Sequence, residues 1–477
     1  MGQCTVARVE FHVSLSGRGD LSARIYRQLH EAVLDGRLRS GERLPPTREL
    51  ARQLAVSRNT VALAYERLTA EGFLVGRVGA GTFVCATPPP PASMPTVGGG
   101  AVSARPVWRE LAADAEATVP VPYDFGVGVP DAHGFPIEAW RRQVARQLRD
   151  LDLTRANYGD PAGEPALRAE VARHIGLSRS VRVPPAQVLI TSGAQQALDL
   201  IARVLVEPGT RVAVEEPGYP PARDLFMSFG AQVSGALVDA EGVDVRAIPA
   251  GTRLVYTTPS HQFPLGPPMS LGRRTALLEW ARRADAVVIE DDYDSEFRFA
   301  DRPLEPLHGL DRGDRVLYVG SFSKTMLPML RLGFLVAPPS LMPALLAAKR
   351  LSDRQTDVTT QGAMARFMAD GLFVRHVRRS TREYAARRAL ILAVLRRDFA
   401  DRLEIVPSTA GLHLAVWPRG DVDVPALVER AAAAGVRVEN MAGYYGFGTE
   451  RPGLAIGYGG IARHRIEDGL RLLDEAW

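Results

Sequence analysis

The chain has 477 residues, of which 46% are hydrophobic and 23% charged; this composition excludes a wholly disordered chain and predicts two or three globular domains. Its two cysteines, Cys4 and Cys85, are too few for a disulfide framework, so we expect a reducing, cytoplasmic setting. The sequence contains neither an apolar run of membrane-spanning length nor an apolar signal-peptide core at its start, so we expect no membrane partner.

The net charge of +4 is confined to one part of the chain. Residues 1–86 contain 12 arginines and 8 acidic residues, so the whole positive excess lies there and the remainder is neutral. A basic segment joined to a large neutral one predicts a polyanionic partner for the basic segment.

Three helices are predicted in this basic segment. Apolar residues recur at helical spacing between residues 25 and 34, before an Asp-Gly pair that ends the first helix. Thr47 is predicted as the N-cap of a short second helix, and Ser57 as the N-cap of a third. The predicted buried face of the third helix consists of Val61, Ala64, Tyr65 and Leu68.

Two short strands follow, at 73–75 and 82–84, around a glycine-rich hairpin tip at 76–81. Helix, turn, capped helix and basic hairpin in this order predict a winged helix-turn-helix. The first turn of its third helix would contact base edges, and basic residues elsewhere would contact phosphates. Each arginine alone also fits a solvated surface charge. The predicted DNA-binding residues are Arg48, Ser57, Arg58, Asn59, Thr60 and Arg77.

Residues 20–86 also resemble the DNA-binding domain of GntR-type transcription regulators. The resemblance lies in Leu-Pro-Pro-Thr-Arg-Glu-Leu-Ala at 44–51, Val-Ser-Arg-Asn-Thr-Val at 56–61 and Gly-Ala-Gly-Thr-Phe-Val at 79–84. It implies double-stranded promoter or operator DNA as the partner of this domain, which we place at 15–86.

A linker is predicted at 87–119. Residues 87–100 are rich in proline and end in three glycines, which is the composition of a semi-rigid spacer followed by a flexible joint. We expect disorder to continue to about residue 115.

From residue 120 onward, short β-branched runs alternate with helical patterns, which predicts an α/β domain at 120–477 with a mostly parallel sheet and helices on both faces. Ligands of such sheets bind beyond the carboxyl ends of the strands. The predicted strands are 188–191, 211–214, 254–257, 286–289 and 316–319.

Lys324 follows the last of these strands. It is one of two lysines among 58 basic residues, and arginine cannot serve as a neutral amine nucleophile because its guanidinium stays protonated. Hydroxyl residues precede Lys324 and Arg331 follows it, as expected of a Schiff-base lysine beside a phosphate site. The other lysine, Lys349, is predicted to be a solvated helix charge.

Two other strand ends carry complementary groups. Residues 192–196 open a helix with exposed amides, which form an anion cradle. The acidic run Glu290-Asp291-Asp292 follows the strand at 286–289 and offers a carboxylate to the site. An amine, a carboxylate and a phosphate cradle at adjacent strand ends together fit pyridoxal 5′-phosphate (PLP).

Residues 120–477 resemble a fold-type I PLP-dependent aminotransferase at these motifs and at Glu-Pro-Gly-Tyr (216–219). Together with the N-terminal domain, the chain resembles the MocR-type regulators along nearly its whole length. The resemblance implies a large domain with a smaller C-terminal α+β subdomain, and a homodimer with shared sites.

The resemblance also implies a role for each cofactor-binding residue. It assigns Lys324 to the Schiff base, Asp291 to the pyridine nitrogen and Tyr293 to the 3′-hydroxyl oxygen. Tyr219 would stack on the ring, although plain packing also explains it. The residues assigned to the phosphate are Gly193, Ala194, Gln195, Ser321, Ser323 and Arg331, with Tyr158 reaching it from the partner subunit.

Two positions depart from the pattern of the enzymes. The asparagine of their Asn-Pro-Thr-Gly turn is missing, so His261 or Gln262 would have to take its place. Ala455 stands where the enzymes carry the arginine that binds a substrate carboxylate, and Arg451 or Arg463 would have to compensate. Without a carboxylate clamp, rapid transamination of an amino acid is not expected.

These features predict a transcription regulator that binds promoter DNA and responds to PLP, or to an amine or amino acid that reacts with it. Residues 215–223 resemble regulators of vitamin B6 synthesis, which favours PLP as the signal. The alternative is a working aminotransferase with an appended DNA-binding domain; the intact Lys324 and Asp291 argue for it and Ala455 against it. A cofactor-free dimerisation scaffold is a weaker third alternative.

Overall fold

The chain divides between Ser103 and Ala104 into two units with separate cores in this computed structural model. The structure describes residues 20–77, 79–85, 103–113, 120–151, 157–299, 305–448 and 450–477.

The N-terminal unit contains three helices followed by a hairpin. Apolar residues at helical spacing, among them Ile25 and Leu29 in the first helix and Val61 and Leu68 in the third, pack into one core. The hairpin strands are antiparallel, with Leu74 opposite Val84. The elements are α1 (Leu21–Leu34), α2 (Thr47–Gln53), α3 (Arg58–Ala70), β1 (Leu74–Arg77) and β2 (Gly81–Val84). This is the predicted winged helix-turn-helix, without residues 15–19, 78 and 86, which lie outside the described residues.

The start of α2 differs from the prediction. Pro46 occupies its N-cap position without a side-chain hydrogen bond, and Thr47 is the first helical residue. The proline ring sets the entry angle of the chain, so the threonine hydroxyl is one position too late to cap. At α3 the prediction is confirmed, because the Ser57 hydroxyl accepts a hydrogen bond from the Thr60 amide at 3.1 Å.

The C-terminal unit begins with a helix inside the predicted linker, α4 (Pro106–Ala113). It contacts a helix of the large domain, α8 (Pro220–Ser228), and the Arg105 guanidinium donates a hydrogen bond to the Ser228 carbonyl at 3.4 Å. The prediction of disorder is therefore wrong for this stretch. The rest of the predicted linker, at 87–102 and 114–119, lies outside the described residues.

An eight-stranded sheet forms the centre of the large domain, in the order β4-β11-β10-β9-β8-β5-β6-β7. Neighbours from β10 to β6 pair in parallel, whereas β11 and β7 are antiparallel to the strands they pair with. The strands are β4 (Val188–Thr191), β5 (Arg211–Glu216), β6 (Gln232–Asp239), β7 (Gly242–Val243), β8 (Leu254–Thr257), β9 (Val287–Asp292), β10 (Val316–Ser321) and β11 (Gly333–Val336). The mostly parallel sheet is confirmed.

Helices cover both faces of this sheet because its strands are apolar on both sides. Along β4, Val188 and Ile190 pack on one face and Leu189 on the other, as the two-residue period of a strand requires. The covering helices are α5 (Ile137–Arg149), α6 (Pro165–Arg179), α7 (Ala194–Leu205), α8, α9 (Leu271–Arg283), α10 (Leu307–Leu310), α11 (Met342–Ser352) and α12 (Val358–Ala369).

A smaller subdomain follows the long helix α13 (Leu372–Asp398). Its antiparallel sheet has the order β12-β13-β16-β15 and shares one core with its helices. A further strand, β14, pairs in parallel with β3 from the start of the domain. The elements are β3 (Tyr123–Asp124), β12 (Leu403–Ile405), β13 (His413–Pro418), β14 (Val436–Arg437), β15 (Glu439–Asn440), β16 (Leu454–Gly457), α14 (Val424–Ala433) and α15 (Ile466–Glu475). The predicted C-terminal α+β subdomain is present.

Candidate functional site

The predicted DNA-binding residues lie on the outer side of the N-terminal unit. Ser57, Arg58 and Asn59 are exposed at the start of α3, and Thr60 is half-buried with its hydroxyl 2.8 Å from the Ser57 hydroxyl. A capped helix start with exposed amide and guanidinium side chains is suited to reading base edges. The cap also means that the Ser57 hydroxyl already has partners within the helix.

The two predicted phosphate contacts are also exposed. Arg48 is the second residue of α2. Arg77 ends β1, and its guanidinium lies 4.9 Å from the centre of the Phe83 ring, which holds the wing arginine against the hairpin. Both side chains are exposed, as a contact with a phosphate backbone requires.

In the C-terminal unit, a cavity of about 770 Å³ lies at the carboxyl ends of the parallel strands. The predicted site residues that line it are Ala194, Gln195, Tyr219, Asp291, Tyr293, Ser321, Ser323, Lys324 and Arg331. The sheet therefore brings together residues that are more than a hundred positions apart in the chain.

Lys324 follows β10 and extends into this cavity. Its Nζ donates a hydrogen bond to the Gly128 carbonyl at 2.6 Å. Burial lowers the pKa of the Lys324 amine, although the carboxylates of Asp294 and Asp291 oppose that shift. Burial thus increases the neutral fraction of the amine, as a nucleophilic lysine requires.

Asp291 lines the cavity and has one unsatisfied carboxylate oxygen. Its Oδ2 accepts a hydrogen bond from the Tyr256 hydroxyl at 2.8 Å, whereas its Oδ1 is buried without a hydrogen-bond partner. Burial raises the pKa of Asp291 to about 7, and the Tyr256 hydrogen bond offsets only part of that shift. A protonated ring nitrogen at Oδ1 would supply the missing donor, so the residues present fit PLP.

The neighbouring Asp292 belongs to the opposite face of β9. Its Oδ2 accepts a hydrogen bond from Arg179 Nε at 2.8 Å and another from the Tyr318 hydroxyl. Burial alone would raise the pKa of Asp292, but the Arg179 guanidinium holds it below its ordinary value. The geometry therefore favours Asp291, and not Asp292, as the carboxylate of the cavity.

The turn between β4 and α7 approaches Arg331 closely. Arg331 Nη2 donates a hydrogen bond to the Ser192 carbonyl at 2.6 Å. Gly193 has a φ of +86°, and a Cβ there would lie 3.1 Å from Arg331 Nη2. A glycine is therefore needed at this position, and it leaves the first amides of α7 open for an anion. The Ser323 amide donates a hydrogen bond to the Ser321 hydroxyl at 3.1 Å.

Aromatic side chains form a second wall. Tyr219 stacks on Tyr256 with ring centres 6.5 Å apart, and its ring meets Phe263 edge-on at 5.7 Å. The Tyr293 hydroxyl lies 2.9 Å from His261 Nδ1, which is itself 3.1 Å from both carboxylate oxygens of Asp294. His261 thus orients Tyr293 and does not itself line the cavity.

Neither proposed substitute for the missing asparagine faces the cavity. The Gln262 side chain is occupied by backbone contacts, because its Nε2 donates hydrogen bonds to the carbonyls of Pro217 and Phe263 at 2.9 and 2.6 Å. Phe263 lines the cavity instead. Counting back from Gly266 would have identified it, since Phe-Pro-Leu-Gly has the spacing of Asn-Pro-Thr-Gly.

The arginines proposed as carboxylate clamps also lie elsewhere. The Arg451 guanidinium lies over the Trp417 ring at 4.1 Å, and Arg463 is paired with Glu383. Ala455 is fully buried in β16. Besides Arg331, the cavity is lined by Arg437, which was not among the predicted site residues.

Tyr158 is 68% exposed and does not line the cavity of its own subunit. The Arg354 guanidinium lies over its ring at 4.5 Å. An exposed tyrosine held in place by a cation is available to a second subunit, and among the described residues it is not part of the lining that surrounds Lys324.

The prediction for Lys349 is wrong. Its side chain is fully buried, and its Nζ donates hydrogen bonds to Gln196, Asp353 and Thr356 at 2.7 to 3.0 Å. The sequence around Lys349 did not reveal its burial, because the residues that accept hydrogen bonds from its amine lie outside α11.

Two families match the chain. Residues 122–438 match the aminotransferase class I and II family, and residues 21–84 match the gntR family of bacterial regulatory proteins. The chain is 36% identical over 459 residues to the probable rhizopine catabolism regulatory protein MocR of Rhizobium meliloti, covering 95% of this chain and 93% of that protein. It is 31% identical to the HTH-type pyridoxine biosynthesis transcriptional regulator PdxR of Corynebacterium glutamicum, covering 92% of each.

A solved structure shares the fold of the larger unit. LysN, the α-aminoadipate aminotransferase of Thermus thermophilus, was solved with N-(5′-phosphopyridoxyl)-L-leucine. It superposes with a TM-score of 0.69 at 30% identity, covering 78% of this chain and 94% of LysN.

The matches first define a class, in which a GntR-type helix-turn-helix domain is joined to an aminotransferase class I and II domain. Within that class, the chain belongs to the MocR-type family of HTH transcriptional regulators. No helix in the described part of the chain is long and apolar enough to cross a membrane.

Proposed function

We propose that this regulator holds PLP in the C-terminal cavity and that the state of the cavity controls its binding to promoter DNA. The observation that carries the proposal is the pairing of Lys324 with Asp291 in one cavity, where Asp291 Oδ1 is buried without a partner. Asp292 also has a buried oxygen without a partner, but it pairs with Arg179 on the opposite face of β9, whereas Asp291 lines the cavity together with Lys324.

Each residue of the cavity has a defined part in this proposal. Lys324 would attach the cofactor covalently, and Asp291 would keep the ring nitrogen protonated. Tyr219 would stack on the ring and Tyr293, oriented by His261, would bond the 3′-oxygen. The phosphate would be held by Gly193, Ala194, Gln195, Ser321, Ser323 and Arg331. Bound PLP would supply an aldehyde carbon that reacts reversibly with amines.

The DNA-binding part of the proposal rests on α3 and the wing. Arg58, Asn59 and Thr60 would contact bases and the Ser57 end of α3 a phosphate, while Arg48 and Arg77 would position the domain on the backbone. We place this domain at 15–86, the linker at 87–119 and the effector domain at 120–477. Because the N-terminal unit matches a family of bacterial regulatory proteins, we place the protein in the cytoplasm, where bacterial DNA lies.

A homodimer with shared sites completes the proposal. Tyr158 is exposed in its own subunit and would reach the phosphate of the partner subunit. A dimer would also bring two DNA-binding domains to two half-sites.

Two signals are compatible with this cavity. PLP itself is one, with control of vitamin B6 metabolism as its consequence, and the PdxR relative supports it. An amino compound that reacts with bound PLP is the other, and a cavity of about 770 Å³ has room for it beside the cofactor.

A working aminotransferase is the second candidate function, because Lys324 and Asp291 are both intact and LysN has the same fold. Ala455 argues against it, since no arginine stands there to orient a substrate carboxylate. Steady turnover of an amino donor with a 2-oxo acid would establish this alternative.

The test of the proposal is the affinity of the purified protein for DNA upstream of its own gene, with and without PLP, at one salt concentration. A change in affinity or footprint with PLP alone makes the cofactor the signal. If PLP binds through Lys324 but DNA binding is unchanged, amino compounds are tested next. If the protein binds neither PLP nor DNA, the proposal is wrong.

A further inference from the structure

One side of the cavity is built by the smaller subdomain. This side, here called the small-sheet wall, consists of Leu412, His413, Arg437, Glu439 and Tyr444. The residues that hold the cofactor come from the large sheet, so the small-sheet wall is the part of the cavity left to recognise a second molecule.

The charges of the small-sheet wall do not favour an anion. Its cation, Arg437, has guanidinium nitrogens 3.8 Å from Asp124 Oδ2 and 3.7 Å from Glu439 Oε1. The remaining titratable side chain that could be positive, His413, is held neutral, because burial lowers its pKa to about 3. One positive charge thus faces two negative ones.

Glu439 is fixed in its place by other hydrogen bonds. Its Oε1 accepts a hydrogen bond from the Val127 amide at 2.8 Å, and its Oε2 accepts one from the Tyr444 hydroxyl. On the neighbouring strand, Ala455 is its register partner and adds no charge. Among the described residues that line the cavity, the positive groups are Lys324, Arg331 and Arg437, and the first two belong to the cofactor site.

We propose that the effector of this regulator is a hydroxylated primary amine without an acidic group. The inference rests on the proposed function, since the amine would react with PLP held at Lys324. Its hydroxyls would donate to Glu439 and accept from Arg437, whereas a carboxylate in that place would face Glu439 and Asp124. An arginine and a carboxylate side by side suit a hydroxyl, which is donor and acceptor at once.

The test compares serinol with serine, which differ only by a hydroxymethyl group in place of the carboxylate. The visible absorbance of the full-length, PLP-loaded protein is titrated with each amine, and free PLP titrated in parallel corrects for their intrinsic reactivity. We expect the protein to prefer serinol by at least about tenfold after this correction. The ethanolamine and glycine pair should show the same direction.

The variant Glu439→Gln keeps the acceptor to Val127 but removes the charge. We expect it to lose most of the preference for serinol, mainly through tighter binding of serine. A wild-type preference for serine, or no spectral change with either amine, would overturn the inference. Failure of PLP to produce a visible band at all would instead count against the proposed function, so the two failures are distinguishable.

A second inference comes from Lys349, which is buried behind the phosphate side of the cavity. Its Nζ donates to Gln196 Oε1 at 2.9 Å, and the same oxygen accepts the Ser192 amide at 2.8 Å. The Ser192 carbonyl in turn accepts from Arg331. A chain of hydrogen bonds therefore connects Lys349 to the turn that precedes Gly193.

We infer that Lys349 is a positioning residue for the phosphate cradle. Both oxygens of Asp353 and the hydroxyl of Thr356 take its other hydrogen bonds, so one compact ammonium serves three separate residues. The planar guanidinium of arginine cannot replace it in this enclosed space, which explains a lysine in so arginine-rich a chain.

The test measures the affinities of the full chain for PLP and for pyridoxal, which lacks the phosphate. We expect Lys349→Met to weaken PLP binding by about tenfold and to leave pyridoxal binding nearly unchanged. Arg350→Met, an exposed neighbour on α11, is the matched control. Equal losses for both ligands, or no loss for PLP, would contradict the inference. Gln196→Met should reproduce the effect if Lys349→Met fails to fold.

Discussion

Asp291 shows how one carboxyl group can serve binding at a cost in stability. It is 4% exposed, and its Oδ1 has no partner. The folded protein therefore holds the neutral form up to a pKa of about 7, where an exposed aspartate would have ionised near 3.8. A cationic ring nitrogen would reverse this preference, so the unsatisfied carboxyl oxygen becomes a source of affinity for the cofactor.

The pH dependence of stability tests this account in the cofactor-free protein. Because the folded pKa is raised, the free energy of unfolding falls as pH rises from about 4 to about 7, and the loss is complete above that. Asp291→Asn should reduce the decrease between pH 5 and pH 8 by about 3 kcal/mol. In this variant the free energy of unfolding still falls as pH rises, because burial also raises the pKa of Glu290 to about 7.

The measurement is denaturant unfolding followed by tryptophan fluorescence, since all five tryptophans lie in the C-terminal unit. The same variant should bind PLP at least about tenfold more weakly, because the charged partner of the ring nitrogen is gone. A variant that is no more stable at pH 8 and binds PLP normally would show that Asp291 is only structural.

At the scale of elements, α3 depends on its cap and α2 does not. The Ser57 hydroxyl accepts from the Thr60 amide, whereas α2 begins at Pro46 without a side-chain hydrogen bond. The N-termini of α2 and α3 can therefore be compared within one small unit. A hydroxyl caps α3, whereas none caps α2.

Ser57→Ala should destabilise the start of α3 by about 1 kcal/mol, and Thr47→Ala should cost clearly less. Hydrogen exchange of the first-turn amides measures both effects in the full chain. Equal changes in the two helices would show that Thr47 caps α2 after all.

Two exposed arginines, Arg77 of the hairpin and Arg58 of α3, allow a separate prediction about DNA binding. If Arg77 contacts a phosphate, Arg77→Ala should reduce the slope of log affinity against log salt by about 1 for every sequence tested. Arg58→Ala should instead lower the discrimination between the operator and unrelated DNA by about 1–3 kcal/mol. Arg67, paired with Glu71 at the other end of α3, is the control; if Arg67→Ala has the same effect, general charge and not contact explains the result.

At the scale of the whole molecule, the division of the chain places α4 with the larger unit. A protein starting at residue 104 retains α4 and its contact with α8, whereas one starting at residue 120 lacks both. We expect the longer fragment to bind PLP within about twofold of the full chain, since the cavity residues all lie beyond residue 126.

The fragment from residue 104 should also lose DNA binding entirely. The fragment from residue 120 should unfold at a lower temperature, because one side of α8 is then uncovered. Identical melting temperatures for the two fragments would mean that α4 contributes nothing to the domain. Residual operator binding by either fragment would contradict the assignment of DNA binding to the N-terminal unit.

Local patterns predicted much of this fold. The strand at 188–191 was predicted to the residue, and the other predicted strands match the starts of β5, β8, β9 and β10 to within one residue, because buried strands are short apolar runs bounded by turns. Lys324 was predicted from its residue type, its place after a strand and its neighbours, since few side chains can do its chemistry. Phe263 was missed, although its spacing from Gly266 was legible in the sequence.

Other features could not be read from the sequence because they depend on distant residues. Whether Lys349 is solvated or buried is decided by Gln196, Asp353 and Thr356, and only the packing of α11 against α7 brings Gln196 to it. Arg437 and Glu439 join the site through the position of the smaller subdomain. The helix α4 has a surface to cover only when α8 is in place.

The sequence by itself therefore determined the two domains, their order, the winged helix-turn-helix and the types of residue available to a cofactor. The tertiary structure alone decided how those residues act. Asp291 and Asp292 are adjacent and chemically identical, and each has one buried oxygen without a partner, yet Asp291 lines the cavity and Asp292 pairs with Arg179 on the opposite face. Burial and electrostatic partners set the pKa of each group, and both are properties of residues brought together from distant parts of the chain.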